Sequence, residues 1–359
     1  MKILHLIQRE QNRGAETFTV QLAKHQTALG HSVRIISLFP KKSDLPFEII
    51  NIGARESRRF YDFEAWRNLN GFIKTFKPDI IQANAGDTLK YASFSKFFFK
   101  WDTPVIFRNA SQISSYIKSP FQKFVNIILL KNIDFVASVS KISEVDFLNV
   151  FPTFKNRIRH IPIGIETNSH VRTIESFSKN DCNIIHVGGF TFEKNHISLI
   201  EIFQVILKHL PASKLHLIGD GPLKGEIEEL VHNKGISNKV NFYGFVSNPL
   251  DYIQSGDILV LPSIIEGLPG VILESMYCKT PVVAYNVGGI SEIINPGTGD
   301  LVMKDDIDTF AKTVVRVLND TPKSQIENAY DLVTNHFTNE VIAKRFISFY
   351  LEVIDNNNG

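Results

Sequence analysis

The stretch DILVLPSIIEGLPGVILESMYCKTPVVAYN, residues 257–286, combines two short apolar runs with a glycine-rich turn and a helical pattern. The runs ILVL and VVAY are bounded by turn-forming residues, which is typical of strands buried on both faces of a parallel sheet. Between them GLPG marks a turn, and the apolar residues after it predict a helix that begins near Val271. The stretch therefore predicts a strand, a turn, a helix and a second strand.

The same alternation continues along nearly the whole chain. In the first half, short apolar runs occur in the segments KILHLI, SVRIISL, DIIQAN, TPVIFR, IDFVASVS and RIRHIPI. The second half repeats the scheme with NIIHVGG, SKLHLIGDG, KVNFYGFV, DILVLPS, TPVVAYN and GDLVMK. Strands that alternate with helices predict an α/β fold in which helices cover both faces of a parallel sheet.

The chain has 359 residues, which is too long for one ordinary core. The two halves predict two doubly wound, Rossmann-like domains that face each other across a cleft. We expect the join in HIPIGIETN, at residues 160–168. The predicted parts are an N-terminal domain over 1–165, a second domain over 166–340, and a C-terminal helix over 341–359 that returns towards the first domain.

Cysteine content and hydropathy bound the class of protein. The two cysteines, Cys182 and Cys278, are too few for a disulfide framework. No window approaches the roughly 18 apolar residues that span a bilayer. The opening MKILHLIQRE lacks the long apolar core and the cleavage site of a signal peptide. These features favour a cytoplasmic protein, which would be peripheral at the inner face of the membrane if it meets lipid.

The net charge of +2 conceals an uneven distribution. Residues 1–165 contain 24 Lys and Arg against 13 Asp and Glu, whereas residues 166–359 contain 15 against 24. The segments YASFSKFFFKW (91–101) and SSYIKSPFQKFVNIILLK (114–131) place lysines among aromatic residues, which suits an anionic membrane surface. Solvated surface charge, and ordinary helices with inward apolar faces, are the alternatives. The predicted basic contacts are Lys96, Lys100, Lys118 and Lys123.

Two glutamates flank the start of the helix predicted near Val271. Glu266 precedes the GLPG turn, and Glu274 lies eight positions later inside the helical pattern. The free N–H groups of a helix's first turn bind anions, and a carboxylate in an apolar helix needs hydrogen-bond donors. A phosphate with a hydroxyl-rich group on each side would meet both needs. The pattern therefore indicates a nucleotide sugar.

Other strand ends carry glycines and a lysine. Gly188 and Gly189 follow the strand NIIHV, and Lys194 stands at the start of the next helix, where its charge opposes the helix dipole but suits a diphosphate. Gly14 and Ala15, in RGAE, precede a helix in the same way. The spacing is not G-x-G-x-x-G, which argues against a nicotinamide dinucleotide. A solvated lysine and a structural loop glycine are the alternatives.

Taken together, these motifs resemble those of the retaining glycosyltransferases of family 4, which have the GT-B fold. The strongest element is the E-x7-E motif, matched by Glu266 and Glu274 in PSIIEGLPGVILESM. The segments VGGFTFEKNH, LIGDGPL, FYGFV and RGAE match the family as well. The resemblance spans essentially the full chain and is densest over residues 183–303.

The resemblance implies a role for each candidate residue. Glu266 would contact hydroxyls of the donor sugar, Glu274 the ribose hydroxyls, and Lys194 the diphosphate. Backbone around Val246 would contact the nucleobase. The remaining donor-binding candidates are Gly14, Ala15, Gly189, Gly267, Leu268, Pro269, Gly270 and Val271.

The chain departs from the family pattern at two positions. Gly189 stands where the family usually has an arginine, so the diphosphate would depend more heavily on Lys194 or on a basic residue from the N-terminal domain. The segment VIFRNAS offers Arg108 and Asn109 where many members have a histidine near the reacting carbon. Asn109 is the predicted substitute, and it joins Glu266 and Lys194 as a catalytic candidate.

The implied reaction moves a sugar, with retention, from a UDP or GDP sugar to a hydroxyl of a glycan or lipid-linked saccharide, in cell-surface polysaccharide biosynthesis. The sequence has no D-x-D pair after a strand and no histidine cluster with ligand spacing, in agreement with the metal-free chemistry that the resemblance implies. The nucleotide sugar is a co-substrate, and neither a further cofactor nor nucleic acid is expected. The alternatives are a non-hydrolysing nucleotide-sugar 2-epimerase and a catalytically silent sugar-nucleotide-binding module.

Overall fold

The computed structural model of the protein describes residues 1–41, 45–167, 172–175, 177–178, 180–320 and 323–358. The chain divides into two compact units. The first unit comprises Met1–Glu166 together with Thr338–Gly359, and the second comprises Thr167–Phe337. The chain therefore leaves the second unit after Phe337, and its last helix belongs to the first.

The described strands form one parallel sheet in each unit. The strands of the first sheet are β1 (Lys2–Arg9), β2 (Ser32–Phe39), β3 (Ile49–Asn51), β4 (Ile80–Ala83), β5 (Val105–Asn109), β6 (Phe135–Ser138) and β7 (Ile158–His160). Those of the second are β8 (Asn183–Val187), β9 (Lys214–Ile218), β10 (Val240–Gly244), β11 (Ile258–Leu261), β12 (Val282–Tyr285) and β13 (Asp300–Val302).

Helices join most of the consecutive strands, as the alternation in the sequence predicts. Through the first unit's main segment they are α1 (Gly14–Ala28), α2 (Phe63–Phe76), α3 (Gly86–Phe99), α4 (Pro120–Leu130) and α5 (Lys141–Val150). They continue as α6 (His196–His209), α7 (Lys224–Asn233), α8 (Pro249–Ser255), α9 (Gly270–Tyr277), α10 (Ile307–Asn319), α11 (Lys323–His336) and α12 (Asn339–Asn358). None of the helices in the described ranges is long and apolar enough to cross a membrane.

Both sheets are doubly wound. The strand order is β3-β2-β1-β4-β5-β6-β7 in the first sheet and β10-β9-β8-β11-β12-β13 in the second. The order reverses direction beside β1 in the first sheet and beside β8 in the second, and ligands of such sheets bind beyond the carboxyl ends of the strands at these switch points. The prediction of two Rossmann-like domains is confirmed, and the places to search for a site are the loops after β1, β4, β8 and β11.

The C-terminal helix completes the core of the first unit. The apolar side of α12, with Ile342, Phe346, Phe349 and Val353, is buried in the cluster that also contains Phe18 of α1. This spacing of apolar residues gives the helix one continuous buried stripe. The return of the chain is fixed where Asn339 N donates to Ile165 O at 2.9 Å.

A buried polar network ties α12 to the strands beneath it. The Tyr350 hydroxyl donates to Gln82 Oε1 at 2.5 Å and accepts from Gln26 Nε2 at 3.4 Å, while Gln26 Oε1 lies 2.8 Å from His5 Nε2. Burial lowers the pKa of His5 to about 4, so this imidazole is neutral at neutral pH. The network uses side chains that could not otherwise be buried without a large cost.

Removing the central hydroxyl should therefore destabilise the first unit. We expect Tyr350→Phe to lower the free energy of unfolding by about 1–3 kcal/mol, because Gln82 and Gln26 lose a buried partner. Urea unfolding followed by circular dichroism would measure this. The control is Tyr61→Phe, whose exposed hydroxyl donates to Ser57 O and whose loss should change stability by less than about 0.5 kcal/mol. Equal midpoints for the two variants would contradict the network's role.

Candidate functional site

The candidate residues of the second unit gather at the switch point of its sheet. Strands β8 and β11 are neighbours, and their carboxyl ends lead into the loops that carry Gly188, Gly189, Lys194 and Glu266. The two loops are hydrogen-bonded to each other, because Ile264 N donates to Glu193 O at 2.9 Å and Asn195 Nδ2 donates to Pro262 O at 3.1 Å. Residues far apart in the chain are thus held at one edge of the sheet.

Glycines let these loops approach backbone to backbone. Gly219 has φ +140°, and a Cβ on it would lie 2.1 Å from Gly188 O. Gly288 has φ +53°, and a Cβ there would lie 1.9 Å from Glu266 O. Neither position can accept a side chain without moving the neighbouring loop. The loop that carries Glu266 is further fixed by a bond from Gly289 N to Gly267 O at 2.8 Å.

Lys194 and Glu266 form an ion pair. Lys194 ends the 3₁₀ turn Phe192–Lys194, and its Nζ lies 2.6 Å from Glu266 Oε1. Glu266 is buried and the lysine is about one-fifth exposed, so the two charges neutralise each other in a partly dehydrated place. An anionic ligand that binds Lys194 must therefore displace Glu266, and a cationic ligand that binds Glu266 must displace Lys194.

Helix α9 begins directly after this pair. Its N-cap residue is Pro269, whose side chain cannot form a capping hydrogen bond. The turn before Pro269 contains Gly267 and Leu268, which are both buried. Gly270 and Val271 form the helix's first turn and are partly exposed. An uncapped helix start carries free N–H groups and a partial positive charge, which together favour an anion.

Glu274 lies one turn further into α9. Its side chain is partly buried and has no hydrogen-bond or ion-pair partner among the residues that the structure describes. Burial raises the pKa of its carboxyl group to about 7, since nothing nearby stabilises the charge. Hydroxyl groups of a ligand would stabilise the ionised carboxylate at this position by donating hydrogen bonds to it.

The edge strand β10 places Val246 in a loop on the same side of the sheet. Gly244 ends β10 with φ +67° and accepts a bond from Gly219 N at 2.8 Å, which links this loop to the one after β9. Val246 is half-buried, whereas Phe245 beside it is exposed. Val246 is therefore partly accessible to solvent at this edge of the sheet.

In the first unit, the predicted residues follow β1 and end β5. Gly14 and Ala15 open α1, and space is open around Gly14, since a Cβ there would meet nothing within 4 Å. Asn109 is buried, and its Nδ2 donates to Ser138 Oγ at 3.1 Å and to Ser143 O at 3.2 Å. These bonds tie β5 to β6 and α5.

Two family models cover most of the chain. The model described as Glycosyltransferase Family 4 matches residues 12–169, and the model described as Glycosyl transferases group 1 matches residues 170–332. The chain belongs to glycosyltransferase family 4. The family resemblance predicted from the motifs is confirmed by these matches.

Individual relatives differ in how much of the chain they cover. The N-acetyl-alpha-D-glucosaminyl L-malate synthase of Bacillus anthracis is 32% identical over 186 residues, which are 51% of this chain and 49% of that protein, so the chain matches about half of its length. The GalNAc-alpha-(1->4)-GalNAc-alpha-(1->3)-diNAcBac-PP-undecaprenol alpha-1,4-N-acetyl-D-galactosaminyltransferase of Campylobacter jejuni is 27% identical over 334 residues, 89% of each chain.

A solved structure supports the fold. The HepE protein of Anabaena, in complex with UDP-glucose, superposes with a TM-score of 0.83 over 98% of this chain and 100% of that one, at 20% identity. At this identity the likeness concerns the fold, and it confirms the predicted GT-B class.

The first departure from the family pattern concerns Gly189. Gly189 leaves no side chain where an arginine is usual, and a Cβ there would lie 3.4 Å from Asp220 O. The cation nearest in sequence is Lys194, which Glu266 already holds. The assignment of the diphosphate to Lys194 stays a prediction, and it requires this ion pair to rearrange.

The second departure concerns Arg108 and Asn109. Arg108 is buried with its guanidinium 4.6 Å from the Phe18 ring centroid, and its Nε and Nη1 have no hydrogen-bond partner within the described chain. Burial lowers the pKa of Arg108 to about 10, while Glu16 acts against that change. An amide does not titrate near neutral pH, so Asn109 could orient a reacting group but could not remove its proton. The catalytic role of Asn109 stays a prediction.

Two histidines beside the site were missed from the sequence. His186 Nδ1 lies 2.9 Å from Val260 O and must donate to it, which leaves Nε2 as a buried acceptor with no partner in the described ranges. His196 stacks on Phe190 at 4.1 Å, and burial lowers the pKa of His186 to about 4 and of His196 to about 2. Both are neutral behind Lys194. His186 lies in the segment HVGG and His196 in EKNH, so their positions beside the candidate glycines and Lys194 could have identified them from the sequence.

The described residues contain no group of three or more His, Cys, Asp or Glu side chains arranged to hold a metal ion. Positive groups at the edge of the second sheet include Lys194 and the start of α9.

Proposed function

We propose that this family 4 protein transfers a sugar, with retention, from a UDP or GDP sugar to a hydroxyl group of a glycan or lipid-linked saccharide, in the synthesis of a cell-surface polysaccharide. The observation that carries the proposal is the arrangement around α9. A free helix start is flanked by a carboxylate paired with a lysine on one side and by an unpaired carboxylate on the other.

Each part of a nucleotide sugar has a chemically suitable partner in this arrangement. The diphosphate would accept hydrogen bonds from the first turn of α9 and replace Glu266 as the partner of Lys194. Glu266, once released, would accept from hydroxyls of the sugar, and Glu274 would accept from the ribose. Val246 would offer its backbone to the base. HepE, whose fold is similar, is described in complex with UDP-glucose, which supports a nucleotide-sugar donor.

Departure of the diphosphate would be assisted by fixed positive groups. The charge that develops on the leaving oxygens would lie near Lys194 and the helix start, which need little reorganisation during the reaction. Such groups can take the place of a metal ion, and we propose that transfer proceeds without one. The leaving diphosphate itself could accept the proton of the attacking hydroxyl, since Asn109 cannot.

The proposed acceptor rests on the positive charge of residues 1–165 and on the name of one relative. The Campylobacter jejuni protein acts, by its name, on a saccharide joined to PP-undecaprenol. Residues 1–165 of the present chain carry 24 Lys and Arg against 13 Asp and Glu, a surplus that suits an anionic acceptor. A polyprenyl-diphosphate-linked saccharide has this chemistry.

The proposal is tested by incubating the protein with labelled UDP and GDP sugars and a polyprenyl-diphosphate-linked saccharide. We expect labelled glycolipid with the anomeric configuration of the donor, read by NMR, and activity that persists with a chelator. An epimerised nucleotide sugar without transfer would establish the epimerase instead. Binding of the nucleotide sugar in a thermal-shift assay, with neither product, would establish a silent binding module.

A further inference from the structure

Helix α4 has apolar residues on its exposed side as well as on its buried side. Leu129 and Leu130 are buried in the core of the first unit, and Leu129 O accepts from Ser93 Oγ at 2.8 Å. Phe121 is nevertheless 72% exposed, Phe124 58%, and Ile128 41%. These three residues are spaced i, i+3 and i+7, so they lie along one face of the helix.

The surroundings of this apolar stripe are positively charged. No Asp or Glu occurs between Asp102 and Asp134. Lys118, Lys123 and Lys131 are exposed, and within the described chain none of the three has an ion-pair partner. Helix α4 and these flanking lysines, residues 118–131, are called the α4 patch below.

The structure changes which lysines could meet an anionic surface. Lys96, one of the four predicted contacts, is largely buried, with Nζ 2.8 Å from Asp134 Oδ2 and 5.6 Å from the Trp101 ring centroid. Lys100 lies 4.5 Å from the centroid of the Phe97 ring. Lys96 is therefore unsuitable as a surface contact, and its selection was wrong. Lys118 and Lys123 remain suitable.

We propose that the α4 patch seats the protein on an anionic lipid bilayer. Phe121, Phe124 and Ile128 would enter the boundary between headgroups and acyl chains, and the three lysines would contact lipid phosphates. An amphipathic surface helix with aromatic residues on its apolar face and lysines beside it has the composition for such a position. This surface goes beyond the proposed transfer reaction and is independent of the donor site.

A second copy of the chain suits the patch less well. Symmetric pairing through the α4 patch would bring six uncompensated lysines into one interface, because each copy contributes three and no carboxylate between 103 and 133. A bilayer with anionic lipids supplies negative charge and an apolar layer at once. Charge complementarity therefore favours lipid as the occupant.

The test is flotation of the full-length protein with vesicles of phosphatidylcholine alone or mixed with phosphatidylglycerol. We expect binding to the mixed vesicles at low salt and much weaker binding at high salt. Replacing Lys118, Lys123 and Lys131 by glutamine should weaken binding roughly 100-fold, since each basic residue contributes about 1 kcal/mol. The matched control replaces Lys208, Lys234 and Lys304, which are exposed in the second unit, and should bind like wild type.

The apolar half of the proposal has its own variants. Phe121→Ser combined with Phe124→Ser should weaken binding to mixed vesicles at least tenfold, whereas Phe60→Ser with Leu351→Ser, also exposed, should leave it unchanged. A circular dichroism spectrum and an unfolding midpoint like those of wild type would show that each variant is folded. Equal binding to both vesicle types, no binding to either, or wild-type binding by the α4 variants would overturn the proposal. Loss of a dimer in the α4 variants, without vesicle binding by wild type, would assign the patch to self-association.

Discussion

Replacing Lys194 by alanine is expected to lower kcat/KM for the nucleotide sugar by a factor of roughly 100 to 1,000, because the leaving diphosphate would lose the cation that we assign to it. Lys194→Arg should lose less, since it keeps the charge while changing the geometry of contact. Steady-state kinetics of transfer would measure both. Lys208→Ala is the matched control, because this lysine is exposed on α6.

Glu266 provides the companion test, because it is the partner that Lys194 must leave. Glu266→Gln removes the competing charge at 2.6 Å from Nζ. We expect this variant to bind a bare nucleoside diphosphate as well as wild type or better, and to transfer sugar much more slowly. Weaker binding of the diphosphate would mean that the ion pair organises the site rather than competing with the ligand. A wild-type enzyme that loses activity with chelator and regains it with Mg²⁺ would contradict both assignments.

Glu274→Ala is expected to weaken nucleotide binding by about 1.5–3 kcal/mol, roughly 10- to 150-fold, because the ribose hydroxyls would lose a charged acceptor. Calorimetric titration with UDP and GDP would measure it, and the exposed Glu229→Ala on α7 is the control. If Glu274→Ala bound nucleotides with wild-type affinity, the assignment of the ribose to Glu274 would be wrong. If only the affinity for the complete nucleotide sugar changed, Glu274 would contact the sugar instead.

The raised pKa of Glu274, about 7 in the free protein, gives this prediction a pH dependence. Hydroxyl donors favour the ionised carboxylate, so nucleotide affinity should rise as pH increases through 7 and fall below it. The stability of the free protein should change in the opposite sense. A group whose folded pKa lies above its unfolded value stabilises the fold at low pH, and that contribution is lost as pH rises towards 7. Glu274→Gln should remove both effects.

The charged groups of the candidate site are largely neutralised before a ligand arrives. Lys194 is paired with Glu266, His186 and His196 are neutral, and burial raises the pKa of Glu274. Residues 166–359 contain more acidic than basic residues, yet the candidate site carries little net charge. A diphosphate would therefore meet a helix start and an exchangeable lysine rather than a repulsive surface.

The alternation of strands and helices was sufficient to predict the architecture. Apolar runs such as ILVL at 258–261 and VVAY at 282–285 became the neighbouring parallel strands β11 and β12. Local periodicity determines which segments become strands, because each must bury both faces. The motifs, being short and local, placed Gly189, Lys194 and Glu266 after strands, and the fold brought those strand ends together at the switch point.

Pairings between distant residues could be decided only by the tertiary structure. Lys194 and Glu266 are 72 positions apart, and their contact depends on β8 lying next to β11, which no local pattern specifies. In the same way, the sequence predicts Lys96 as a surface contact, whereas the fold places Asp134 beside it. Ion pairs require a sheet order and a loop geometry that side-chain periodicity does not encode.

The sequence by itself determined two doubly wound sheets, and it placed Glu266 and Glu274 at the start of one predicted helix. The tertiary structure decided that Asn109 is hydrogen-bonded to Ser138 and that Phe121 and Phe124 face outward rather than inward. The reason is that a helix with apolar residues on two sides has two possible orientations. Which side is buried depends on the neighbouring elements, and these are set by the strand order of the whole sheet.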